Sequence, residues 1–145
     1  MRHVLAILAC LAASPAAAFD ESATGWLSDV AIDGFDATAY WKGGPEEGRD
    51  AHEVSWKGAI WRFAAAEDAA AFEAAPERFA PAYGGRCANA MSMGKDVAAD
   101  AEIWLIEEDR LFLFYAEDGR TRWREGDRTA LIAEADAQWA ALSGG

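Results

Sequence analysis

The chain is poor in sulfur, imidazole and positive charge. Its 145 residues include two cysteines and two histidines, and 13 Lys+Arg face 25 Asp+Glu for a formal charge of -12. A surface of that sign repels phosphate backbones and anionic headgroups, so nucleic acid is not an expected partner, while cations and metal ions are attracted. Prolines number four, and no Pro/Gly/Ser-rich linker divides the chain. No apolar run reaches the roughly 20 residues that span a bilayer. Phosphate loops, H-E-x-x-H pairs and a Ser-His-Asp order are all missing. Disorder is excluded too, because 52% of residues are hydrophobic and 12% aromatic. One domain with a single hydrophobic interior fits this length.

Residues 1–18 read as a secretory signal peptide. Arg2 and His3 form a basic start, Val4 to Ala13 is apolar, Ser14-Pro15 breaks the run, and Ala16-Ala17-Ala18 offers an A-x-A processing site. The pattern predicts a periplasmic or secreted protein cut after Ala18, without stable membrane insertion. A lipid-modified Cys10 is the alternative, which bulky Leu8 and the short preceding run disfavour. Processing removes Cys10 and His3, leaving Cys87 as the single thiol and His52 as the single imidazole. No internal disulfide can then form.

Residues 19–29 read as a polar, loosely held lead-in, and 30–142 as the folded domain with a C-terminal extension. No internal repeat is visible. His52–Trp56 and Ala59–Phe63 alternate polar and apolar residues about a Lys57-Gly58 turn, which predicts a β-hairpin. Ala66–Ala75 is a helix former that stops before Pro76, and Pro76–Phe79 begins a short helical turn. Arg86–Met93 reads as a short helix closed by Gly94. Ile103–Ile106 and Leu111–Tyr115 predict a second hairpin, and Asp127 caps an amphipathic helix lined by Ile132, Ala135, Trp139 and Leu142. The expected class is α+β: two hairpins, short helices and a closing C-terminal helix.

Four segments carry a resemblance. Asp36-Ala37-Thr38-Ala39-Tyr40, His52–Gly58, Phe63–Asp68 and Phe72–Phe79 together resemble the YHS domain, and the continuation through Gly84-Gly85-Arg86-Cys87 looks like the exported, stand-alone branch of that family. The resemblance implies a small YHS-like fold and binding of heavy metals. It also implies relatives with selenocysteine where Cys87 stands. Metal-binding members place cysteines where this chain has Ala39, Ala64 and Asp68, so only His52 matches their ligand pattern.

Cys87 follows a glycine pair at the start of a predicted helix, where unpaired N–H groups, the dipole and adjacent Arg86 favour a thiolate. Met91, four residues on, shares its helical face. A thiolate with a thioether favours Cu(I) or another soft ion, with His52 as a further ligand or as a base for the sulfur. The structural alternatives are a thiol plugged under a glycine turn, a gap-filling Met91 and a surface His52. The leading expectation is an exported protein that binds or handles copper or a similar ion through Cys87. The second is a thiol-dependent redox protein with Cys87 as nucleophile, and the third a non-catalytic interaction module. The balance leans away from an enzyme.

Overall fold

Residues 20–25 and 28–144 are described by the structure, a computed structural model; the expected signal peptide lies outside them. Alternation produces the first hairpin: β1 (Arg49–Trp56) pairs antiparallel with β2 (Ala59–Phe63), setting Val54 opposite Trp61 and Trp56 opposite Ala59. Residues opposite one another share a face, so Val54, Trp56, Ala59, Trp61 and Phe63 form one apolar surface. α1 (Ala66–Ala74) lays Phe72, fully buried, onto it, with ring centroids 5.2 Å from Trp61 and 4.9 Å from Phe63. α2 (Pro76–Phe79) then turns the chain toward α3 (Ala88–Ser92).

The second hairpin, β3 (Asp100–Glu107) with β4 (Arg110–Phe114), is buried on both faces. Leu111 and Leu113, with Trp104 and Ile106, join the core of the first hairpin. Phe112 and Phe114, with Ile103 and Leu105, join a second core formed by α3, α4 (Glu117–Glu125) and α5 (Arg128–Ser143). This hairpin is the wall between two cores. The class is therefore α+β, with two antiparallel hairpins and five α-helices among the described residues.

The two halves repeat one plan at a spacing of 51 residues (114 − 63 = 51). Arg49 pairs with Phe63 and Asp100 with Phe114; both registers then slip by the same bulge before resuming at Glu53–Arg62 and Trp104–Leu113. Three successive left-handed residues precede each hairpin: Ile32-Asp33-Gly34 at φ 43°, 53° and 82°, and Tyr83-Gly84-Gly85 at 60°, 62° and 89°. Asp36 N–H donates to the Glu46 carbonyl and Cys87 N–H to the Val97 carbonyl, each at 2.8 Å. Phe72 in α1 corresponds to Trp123 in α4, and both are fully buried.

An internal repeat exists. It escaped notice because the corresponding identities, such as Ala31 and Ala82 or Ala37 and Ala88, are alanines in an alanine-rich chain. α4 was not anticipated, since it carries Gly119 and one buried apolar residue, Trp123. Residues 20–23 of the lead-in are not loosely held. Ser22 is 1% exposed, Ala23 N–H donates to the Gly84 carbonyl at 2.7 Å, and Arg86 donates to the Asp20 carbonyl at 2.6 Å. Helix α3 starts later than expected, making Cys87 its N-cap. Leu142, expected on the buried face of α5, is 37% exposed.

The repeat puts two different side chains in one role. Asp36 is wholly buried and accepts from Thr38 N–H at 2.8 Å, Thr38 Oγ1 at 2.7 Å and Ala64 N–H at 2.9 Å, pinning the turn before β1 to the end of β2. Cys87, its counterpart, accepts from Ala90 N–H at 3.4 Å. Asp36→Ala leaves three donors unmatched and should cost about 3–5 kcal/mol, whereas Cys87→Ala loses a weak cap and costs about 1–2 kcal/mol. Urea unfolding of both variants measures the order, and equal losses would show that the Asp36 carboxyl does not hold this turn.

Candidate functional site

Cys87 is 3% exposed and Met91 is fully buried. They belong to one apolar cluster with Tyr83, Phe112, Phe114, Trp123 and Ile132. The sulfur caps α3, while the Cys87 backbone is tied to Val97 and bridged to Leu113. Arg86 turns elsewhere, because neighbouring extended residues direct their side chains to opposite sides. Its guanidinium pairs with Asp96 at 2.7 Å, grips the Asp20 and Glu21 carbonyls, and lies over the Trp139 ring at 5.3 Å. It thereby clasps residues 20–23, a strap laid across Gly84, to the domain.

His52 sits in the bulge of β1, on the partly buried side it shares with Val54 and Trp56. That side faces the other core, and no hydrogen bond or ion pair joins His52 to Cys87 among the described residues. The structure thus brings Cys87 and Met91 together and leaves His52 apart. Among the described residues no group of three or more His, Cys, Asp or Glu side chains is arranged to hold a metal ion. Two soft donors in hydrocarbon fall short of the three or four ligands that a closed soft-metal site supplies.

A different feature gathers chemistry. A cleft of about 260 Å³ opens where the tips of both hairpins meet the strained turn at Tyr83. Trp56 and Lys57 come from the first tip, Asp109 and Arg110 from the second, and Glu77 and Arg78 from α2. Glu21 of the strap and Trp139 of α5 complete the rim. Lys57 is paired with Glu21 at 2.8 Å and also lies 5.0 Å from the Trp56 ring centre.

Two of the lining residues are held from outside the cleft: Arg110 grips Asp136 with two nitrogens, at 2.8 and 3.0 Å, and the Tyr83 hydroxyl donates to the same carboxylate at 2.8 Å. The guanidinium covers the Tyr83 and Phe112 rings, 5.7 and 5.1 Å from their centres. This constellation holds Tyr83 at φ 60°, a conformation that costs a bulky residue about 1–3 kcal/mol. Burial pushes the Tyr83 phenol up, and its hydrogen bond to Asp136 adds to the effect, so it remains a neutral donor. Burial also acts to raise the Asp136 carboxyl, but the hydrogen bonds from Arg110 and Tyr83 and the guanidinium charge outweigh it, holding the group below the usual aspartate range.

Of the cleft residues, the sequence offers only Trp56 and Trp139 as aromatics able to stack on a ligand, with core packing the default, and marks none of the charged ones as a binding group. Lys57-Gly58 and Glu108-Asp109 are legible as turns, but nothing in their spacing says that the two tips meet. Arg78, Tyr83 and Arg110 carry no motif. Their signal is spatial only.

A depressed aspartate stabilises the fold above its ordinary pKa of about 3.9 and ceases to do so as pH falls through the lowered value. The stability gap between wild type and Asp136→Asn should therefore be present at neutral pH and close in acid. Unfolding midpoints across a pH series measure it, and a gap that widens in acid would contradict the assignment.

Comparison with known protein families, characterised proteins and solved structures finds no match to this chain.

Proposed function

We propose that the chain is a non-catalytic binding module of YHS-like architecture that acts after export, and that its ligand enters the cleft between the hairpin tips. The observation that carries this reading is the division of labour in the fold. The thiol is spent as a helix cap in an apolar core, while charged and aromatic groups from both halves converge on one concave surface. Ligand sites are concave and present convergent polar groups, and this cleft is rich in them, six of its fourteen lining residues being Lys, Arg, Asp or Glu. A nucleophile needs a base within hydrogen-bond reach, and among the described residues neither His52 nor a carboxylate is bonded to Cys87. No helix among the described residues is long and apolar enough to cross a membrane.

The module reading predicts that iodoacetamide labels Cys87 in the folded protein no faster than global opening allows, and that Cys87→Ser keeps the native fold. Rapid labelling under native conditions would restore the redox reading.

Soft-metal handling is the second reading, favoured by the sharing of one apolar cluster by Cys87 and Met91. Copper or a similar ion would then be cargo, held by thiolate and thioether once the α3 turn opens. Titration with Cu(I) in the presence of a competing chelator separates the two. The module reading expects weak uptake indifferent to Cys87→Ser and Met91→Ala. Stoichiometric uptake abolished by either substitution would place metal first.

A further inference from the structure

We propose that the cleft takes a small zwitterion, a free amino acid or dipeptide with an apolar side chain, its carboxylate on Arg78 and its ammonium on Asp109 and Glu77. The inference rests on the binding-module reading and names the ligand class of that same cleft.

The charges at the rim decide it. Three cations and three acids line the cleft in a chain whose formal charge is -12. Two of the cations are already matched inside the fold, Lys57 by Glu21 and Arg110 by Asp136. Arg78 is different. It is exposed, it has no carboxylate partner among the described residues, and its guanidinium contacts are aromatic, 6.0 Å from the Trp41 ring centre and 5.6 Å from that of Phe79. Glu77 and Asp109 likewise lack a cationic partner among the described residues. The rim thus presents one unmatched guanidinium and two unmatched carboxylates.

A ligand with negative charge alone would gain Arg78 but face Glu77 and Asp109. One with positive charge alone would gain the acids and face the guanidinium. A molecule bearing both charges meets each with its opposite, and like-charge juxtaposition is the larger source of discrimination at such sites. The planar fork of arginine suits a carboxylate in particular. Trp56 and Trp139, both half-buried, offer an apolar surface for the remainder of the ligand. The volume, about 260 Å³, lies just below the common range of about 300–1,000 Å³ for drug-sized ligands, which restricts the ligand to amino-acid or dipeptide dimensions. Exposed ion contacts are individually weak, so affinity is modest and selectivity is the diagnostic.

Three probes of one shape isolate the charges: L-phenylalanine carries both, phenethylamine only the cation, and 3-phenylpropionate only the anion. Backbone amide shifts of Lys57, Arg78, Gly84 and Asp109 in the purified protein follow each titration. L-phenylalanine should bind at least tenfold more tightly than either single-charge analogue. Arg78→Ala should reduce it to the level of phenethylamine, and Asp109→Asn with Glu77→Gln to that of 3-phenylpropionate, with unfolding midpoints unchanged. Equal binding of a single-charge analogue, or an Arg78→Ala variant that binds as wild type does, overturns the zwitterion while leaving the cleft a binding site. If no probe moves these amides at millimolar concentration, the cleft itself is lost and the module reading with it.

Discussion

The fold depends on a hairpin that carries a hydrophobic core on each of its faces. Antiparallel sheets commonly bury one side, and the β1–β2 hairpin does so, with Glu53 and Arg62 turned outward and paired at 3.0 Å. The β3–β4 hairpin instead carries Leu111 and Leu113 into one core and Phe112 and Phe114 into the other. Burying such a side chain contributes about 1.5–3 kcal/mol, so these four alternating residues hold two clusters against one wall. The Tyr40 hydroxyl, donating to the Ala101 carbonyl at 2.7 Å, stitches the first half to the same wall.

Hairpins and terminal helix were legible because their signals are local. Lys57-Gly58 sits between alternating residues, and Asp127 accepts from Ala130 N–H at 3.1 Å as an N-cap should. α4 was not legible, for it has few apolar residues to mark a period, and tertiary context places its Trp123 beneath Phe112 and Phe114. The repeat was hidden for a related reason. What the halves share is backbone conformation and register, which different residues satisfy: Ile32 and Tyr83 are both left-handed, and Asp36 and Cys87, at equivalent positions, each accept from a backbone N–H just ahead of them.

That last substitution explains why the thiol drew attention in the sequence. A lone cysteine after two glycines at a helix start has the local form of an activated group, yet α3 begins two residues beyond the expected Arg86, so that Cys87 caps the helix instead of lying in its first turn. Local form does not report what lies opposite. Ile132 and Ala135 of α5 and Phe112 of β4 belong to the same cluster, and those contacts join residues far apart along the chain. The cleft was invisible for the same reason, since its two hairpin tips lie about fifty positions apart, a separation that hydrophobic periodicity does not reach.

The strap has a consequence for tolerated variation. Arg86 holds the Asp20 and Glu21 carbonyls, main-chain oxygens that any residue supplies. At Gly84 a β-carbon would collide with the Glu21 carbonyl oxygen. Grip is thus blind to side chains on one side and intolerant of a single methyl on the other. A change at residue 20 leaves this grip intact and loses only the Asp20 carboxylate's bond from Ser22 N–H, whereas the glycine that receives the strap admits no side chain.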